Sequence, residues 1–244
     1  MKLSCTEIFR YSDILNPVSP TTLLLAGKLA QLEPEKTVLD LGSGKGYPSV
    51  LWASAFGVHV EGFDVNRSFV RYANSRAIML NLSSRVKYTC RDAKKLSLGM
   101  RYDVVASLGL GVTGVYGSYG DALKVLKNML YKDGVLVLAE PVWLARPVSP
   151  KVLSALGESE DNLVTKPEMQ ELLREYGFKE LGDFVSSKEE WEIYIRPTYI
   201  AMREIIKSKG ELAEEAQKVV NGFRTEYDAV GQHWNEILWV AKSQ

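Results

Sequence analysis

Nine residues constrain this chain more than any others. Val38 to Gly46 reads Val-Leu-Asp-Leu-Gly-Ser-Gly-Lys-Gly. The apolar run Val38 to Leu41 is a buried strand in sequence terms, and Gly42, Gly44 and Gly46 follow it at alternate positions. Pro48 suits the first turn of a helix, where its missing N–H is not needed. A strand, a glycine turn and a helix N-terminus give a ligand access to bare backbone.

The spacing downstream narrows the ligand. Val58 to Asp64 reads as a second strand ending in a carboxylate, 18 residues after Gly46. An acid at that strand end is placed to accept hydrogen bonds from two ribose hydroxyls. Val86 to Cys90 reads as a third strand, followed by Arg91-Asp92-Ala93, where a carboxylate can reach an exocyclic adenine amino group. Two nucleotide readings compete. The dinucleotide fingerprint is Gly-x-Gly-x-x-Gly with a helix N-terminus free for pyrophosphate. Here the spacing is Gly-x-Gly-x-Gly, and Asp40 stands just before the turn, where it repels a pyrophosphate and can hold an amino-acid ammonium. That favours S-adenosylmethionine over NAD.

Asp40-Leu-Gly-Ser-Gly-Lys-Gly46, Asp64 and Asp92-Ala93 resemble the cofactor motifs of class I S-adenosylmethionine-dependent methyltransferases. The resemblance covers about Thr37 to Glu140 and implies a Rossmann-like α/β sandwich. Its sheet has seven mostly parallel strands, the last antiparallel. It implies that Asp40, Gly42, Ser43, Gly44 and Gly46 surround the methionine end, Asp64 and Val65 the ribose, and Asp92 and Ala93 the adenine. Backbone carbonyls of Ser107 and Leu108 become candidates for the ammonium. In related methyltransferases a leading segment often closes over the methionine end, which makes Arg10 and Tyr11 candidate contacts; the plainer reading of residues 4–17 is a short surface helix. The (Asp/Asn)-Pro-Pro-aromatic motif of nucleobase-amine methyltransferases is replaced by Ser107-Leu-Gly-Leu, which argues against such an acceptor.

The rest of the chain fits one domain over 1–244: leading helices to 34, a cofactor core over 35–140, and the remaining sheet over 141–244. Ser19 and Pro20 begin a helix buried through Leu25, Leu29 and Leu32, and Asn66 caps another carrying Phe69, Tyr72, Ala73, Ala77 and Leu80. Tyr102 to Gly109 reads as a fourth strand, Asp121 to Tyr131 as a helix, Val135 to Glu140 as a fifth strand, and Phe178 to Val185 as a sixth. About 187–232 intervene before a last strand at Asn235 to Ala241. Trp191, Ile195, Tyr199, Met202 and Ile206 give that insert one apolar helical face, with Pro197 expected to kink it. A second helix spans about Glu211 to Phe223. The insert is expected to form a helical cover.

Methyl transfer needs no general base unless the acceptor must lose a proton. Glu140, at the end of the fifth strand, and His233 are candidate catalytic groups; their plainer readings are a partner for loop backbone and a structural or exposed histidine. Trp143, Trp191, Tyr199 and Trp234 are candidate walls of an acceptor pocket, or simply core. The whole chain is similar to a small, sparsely characterised group of methyltransferases near the ubiquinone-biosynthesis and cyclopropane-synthase-like branch, whose members mostly modify small molecules or lipids. Thirty basic and thirty acidic residues cancel, and no long run of one sign offers a footprint for nucleic acid or an anionic membrane. Two isolated cysteines, Cys5 and Cys90, exclude arsenite-type chemistry and, with no Cys-x-x-Cys, argue against metal. No secretion signal or apolar run of about 18 residues is visible, so a cytoplasmic protein is expected, monomeric or homodimeric. The expected function is methyl transfer from S-adenosylmethionine to a small-molecule acceptor, yielding S-adenosylhomocysteine. The alternatives are a non-catalytic binding protein of the same fold and, less favoured, an NAD-linked oxidoreductase.

Overall fold

The computed structural model describes residues 2–96 and 99–244. In chain order its elements are α1 (Cys5–Ile8), α2 (Pro20–Leu29), β1 (Thr37–Leu41), α3 (Tyr47–Phe56), β2 (His59–Asp64), α4 (Arg67–Met79), β3 (Val86–Cys90) and β4 (Tyr102–Leu108). There follow α5 (Val112–Tyr116), α6 (Tyr119–Asn128), β5 (Leu130–Trp143), α7 (Pro150–Leu156), α8 (Lys166–Glu175), β6 (Phe178–Val185), α9 (Lys188–Lys207), α10 (Ala213–Ala229) and β7 (Trp234–Ser243). They divide into two compact units. The sheet unit comprises Ser19–Glu140, Lys166–Val185 and Ile237–Gln244; the helical unit comprises Met1–Val18, Pro141–Thr165 and Ser186–Glu236.

The sheet has seven strands in the order β3-β2-β1-β4-β5-β7-β6. β1 to β5 run parallel, and β7 runs antiparallel to β6. This is the expected topology, with the fourth strand beside the first. Parallel strands flanked by helices bury both faces and so read as apolar runs. Val38, Leu39, Leu41, Val104, Val105, Leu136 and Val137 are accordingly buried. Ser19 caps α2 by accepting from Thr22 N–H, and Asn66 caps α4 by accepting from Ser68 and Phe69 N–H.

Three local readings are corrected by packing. Leu25 is exposed, and the buried side of α2 is Leu23, Ala26 and Gly27. A Cβ on Gly27 would stand 2.5 Å from the Phe56 ring, so the helix approaches α3 on its glycine side. On α4, Tyr72 and Leu80 are exposed while Arg76 is buried, its guanidinium lying over the rings of Tyr47 and Tyr72. β5 begins at Leu130, not Val135; the pairing with β4 is irregular after Tyr102, and Asp133 takes a left-handed φ of 63° there.

The helical unit packs around α9 and α10. Trp191, Ile195, Thr198, Ala201 and Met202 form the buried side of α9, which runs as one helix with Pro197 inside it. Ala201 and Met202 meet Ala216 of α10, with Leu3, Ile8 and Val220 packed against them. Phe9, Trp191, Tyr194, Phe223 and Trp234 form a chain of ring contacts at 5.2–6.2 Å between centroids. Asn235 ties the start of β7 to α9 and to the residue pair that precedes it. It accepts the Trp191 indole N–H at 2.8 Å and donates to Ser186 O at 3.0 Å. Replacing Asn235 with Ala leaves a buried N–H and a buried carbonyl unpaired, and should cost about 2–4 kcal/mol of stability in urea unfolding; a loss below about 0.5 kcal/mol would contradict this role.

Candidate functional site

The sheet unit gathers most of the expected site at the carboxyl ends of its central strands. Gly42 N–H and Ser43 N–H both donate to Phe63 O, at 2.9 and 3.0 Å, so the glycine turn is hung from the end of β2. Asp64 completes the suspension: one carboxylate oxygen accepts from Gly44 N–H at 2.9 Å and the other from Asn66 N–H at 2.7 Å. Burial pushes the Asp64 carboxyl up, and these two donors pull it down. Each oxygen keeps lone-pair capacity for a further donor.

Tyr88 of β3 locks the turn from below, a role the sequence did not reveal. Its hydroxyl donates to Gly46 O at 2.8 Å. Its ring occupies the space beside two glycines: a Cβ on Gly46 would lie 2.4 Å from ring atoms, and one on Gly62 2.4 Å from Cδ1. Gly46 also has φ 73°, which only glycine adopts freely, and it caps α3. Over the turn lies Leu110, whose Cδ1 would stand 2.7 Å from a Cβ on Gly42.

Asp40 is 2% exposed, and its carboxylate accepts one hydrogen bond, from Ser49 Oγ of α3. Burial is the main cause that raises its pKa to about 6, with the charge of Asp64 adding to it and Ser49 opposing it. Asp92, after β3, accepts from Lys94 N–H at 2.9 Å and caps a 3-10 turn over Ala93–Lys95. Beside Asp64, Val65 is 71% exposed, an apolar surface next to a fixed carboxylate. Ser107 lies in β4, in register with Leu41 of β1, and is fully buried; Leu108 follows it, nearly buried. The hydroxyls of Ser43, Ser107 and Tyr116 are buried without a hydrogen-bond partner in the sheet unit. Tyr116 belongs to α5, a short helix within the glycine-rich stretch from Gly109 to Gly117, and feels the charge of Asp92.

Glu140 is hydrogen-bonded to loop backbone. It is 1% exposed and accepts Val112 N–H at 3.0 Å, so it holds the start of α5. Burial raises its pKa to about 7, against the opposing pull of the Val112 and Gly111 N–H groups.

The helical unit holds the remaining candidates. The Tyr11 hydroxyl donates to Glu204 Oε2 at 2.7 Å, and Arg10 Nη1 is 3.8 Å from the same oxygen, so both engage α9. His233 is exposed, and its backbone carbonyl accepts from Leu144 N–H. Trp191 is core. Tyr199 lines a cleft of about 230 Å³ with Ile195, Arg196 and Tyr227. Trp143 and Trp234 share the lining of a smaller cavity. Among the described residues, no group of three or more His, Cys, Asp or Glu side chains is arranged to hold a metal, and no helix is long and apolar enough to cross a membrane.

The fold so described is that of class I S-adenosylmethionine-dependent methyltransferases, and residues 38–134 match the protein family described as Methyltransferase domain. The match ends before the segments of the helical unit that follow residue 140. Over a longer span the chain is similar to the uncharacterized protein YjhP of Escherichia coli, with 26% identity over 222 residues, 88% of this chain and 89% of that one. Two crystal structures share the fold along the whole chain. A methyltransferase of Thiobacillus denitrificans has TM-score 0.89 at 24% identity, covering 100% of both chains. One of Geobacter sulfurreducens has TM-score 0.90 at 23% identity, covering 100% of this chain and 99% of that one. Both of those proteins were solved with S-adenosylhomocysteine bound.

The Glu140 geometry has a consequence for stability. With a folded pKa of about 7 against an ordinary 4.5, the native state binds more protons than the unfolded chain between those values. Stability therefore falls as pH rises through that window, by roughly 3 kcal/mol in all. Glu140→Gln keeps an acceptor for Val112 N–H and removes the titration, so the parent should lose ground to the variant in urea unfolding between about pH 5 and pH 8. A stability difference independent of pH would contradict the assignment.

Proposed function

We propose that the chain binds S-adenosylmethionine at the carboxyl ends of β1 to β4 and transfers its methyl group to a small-molecule acceptor. The observation that carries the reading is the Asp64 carboxylate, fixed by one backbone N–H on each oxygen with room for a second donor on each. That is the donor-ready geometry a ribose diol requires. Asp92, held on one oxygen by Lys94 N–H just past the neighbouring strand, would take the adenine amino group, with the exposed Val65 offering apolar surface nearby.

The methionine end would sit near Asp40. A buried carboxylate with one hydrogen-bond partner is costly to ionise, and a ligand ammonium, held directly or through water, offsets that cost. Carbonyls of Ser107 and Leu108 would take further ammonium protons. The unpartnered hydroxyls of Ser43, Ser107 and Tyr116 suit a polar ligand, while Asp40 and Asp64 together disfavour a pyrophosphate. The S-adenosylhomocysteine bound in the two structural neighbours supports the same ligand class. When bound, the sulfonium supplies an activated methyl group for in-line displacement, so the chain's task is to hold donor and acceptor in line and dry. The balanced charge, the Ser107-Leu-Gly-Leu segment in place of a nucleobase-amine motif, and the resemblance to small-molecule enzymes favour a metabolite as acceptor.

Incubating the full chain with methyl-labelled S-adenosylmethionine and fractionated cell extract tests this. Label should enter the low-molecular-mass fraction. Label in protein or nucleic acid would contradict the acceptor class, and cofactor binding without any transfer would favour the non-catalytic alternative.

A further inference from the structure

The chain as a whole is electrically balanced, and that balance hides a local excess. From Arg67 to Arg91, through α4 and β3, stand six Lys or Arg residues and no Asp or Glu. Arg76 is buried against two tyrosine rings, and Arg85 pairs with Glu35. Arg67, Arg71, Lys87 and Arg91 are exposed, and among the described residues none of them meets a carboxylate. Because β3 is the outermost strand on its side of the sheet, this positive charge lies along one edge of the sheet unit.

The same segment carries an apolar run in the open. Ile78 and Met79, which end α4, and Leu80, which follows them, are 64%, 73% and 53% exposed. Single exposed apolar side chains are ordinary, but three in succession serve no purpose in a folded surface unless something covers them. Arg71 stands seven residues before Ile78 and so on the same side of the helix, with the small Ser75 between them. Asn81 then takes a left-handed φ of 56° and turns the chain toward β3.

The surroundings decide what covers the run. A strand added by a second copy meets a blocked edge, since the Asn74 side chain donates to Tyr88 O at 2.9 Å and accepts Tyr88 N–H at 3.2 Å. Nucleic acid would use the cations but gains nothing from aliphatic side chains, which give bases no stacking platform. A folded partner needs a socket shaped to three protruding side chains, whereas hydrocarbon accepts any shape. Anionic head groups beside that hydrocarbon complement the unpaired cations of the same edge.

We propose that the α4–β3 edge docks on the surface of an anionic lipid bilayer, with Ile78, Met79 and Leu80 entering the acyl boundary and the exposed cations, Arg71 foremost, meeting the head groups. The contact is peripheral, concerns the sheet unit alone, and stands whether or not that unit binds S-adenosylmethionine.

The test is flotation of the full chain with vesicles of phosphatidylcholine, alone or with about a third phosphatidylserine. Binding to the serine-containing vesicles should be at least about tenfold tighter at low salt, and the difference should shrink in about 0.5 M salt. Arg71→Ala should weaken binding about fivefold and Met79→Ser about tenfold. Both side chains are exposed, so both variants should melt within a few degrees of the parent. Equal binding to the two vesicles, binding unchanged in both variants, or no flotation at millimolar lipid would overturn the proposal. So would a dimer in sedimentation velocity that Met79→Ser disrupts, or retention on RNA through Arg71, with no vesicle bound in either case.

Discussion

The carboxyl ends of β1 and β2 depend on one contact, the ring of Tyr88 lying against backbone that carries no Cβ. Gly46 and Gly62 together make room for that ring, and its hydroxyl then ties Gly46 O from beneath. The consequence is a glycine turn fixed on two sides, by Tyr88 below and by Phe63 O and Asp64 at the strand end. The turn could otherwise take many conformations, because glycine loses the most freedom on ordering. Holding it in one leaves the N-terminus of α3 and the Asp64 carboxylate in a constant relation. A methyl added at either glycine would have to displace an aromatic ring in a close-packed interior, which typically costs 1–3 kcal/mol or more.

Around that turn the chain buries charge it does not neutralise. Asp40 and Glu140 are both almost fully buried, and neither has a basic partner among the described residues; hydroxyl and backbone N–H groups are all that hold them. Proteins rarely keep such groups without a use, since desolvating a carboxylate costs several kcal/mol. The two are used differently. Glu140 organises backbone, clamping the start of α5 and so the segment that carries Leu110 over the turn. Among the described residues Asp40 takes its side-chain hydrogen bond from Ser49, and its remaining acceptor capacity is what gives the cofactor reading its ammonium site.

The strands were legible because β1, β4 and β5 hold short apolar runs and acids stand near or just past the ends of β1, β2, β3 and β5, and the sheet order followed from the resemblance those acids carry. The caps were legible too: Ser19 and Asn66 stand where short polar side chains precede apolar periodicity, and both accept the expected N–H groups. What escaped notice depends on contacts distant in sequence. Tyr88 looks like an ordinary strand aromatic until Gly46 and Gly62 are brought beside it. Arg76 sits on a helical face that the pattern assigns to apolar residues, because two tyrosine rings take its guanidinium. The glycines at 109–117 concealed α5, whose start is stabilised by Glu140 rather than by its own propensity. Arg10 and Tyr11 offered a guanidinium and a phenol to a ligand, and a carboxylate of the chain's own α9 engages both.

The proposed function depends on Asp64 and the glycine turn forming a site for an adenosyl amino acid rather than for a dinucleotide. Calorimetric titration of the purified chain and of Asp64→Ala with S-adenosylhomocysteine and with NAD tests this directly. Micromolar binding of S-adenosylhomocysteine to the parent, at least about a hundredfold weaker in the variant, with no binding of NAD, is the predicted result. Binding of NAD alone, or S-adenosylhomocysteine affinity unchanged by Asp64→Ala, would contradict it.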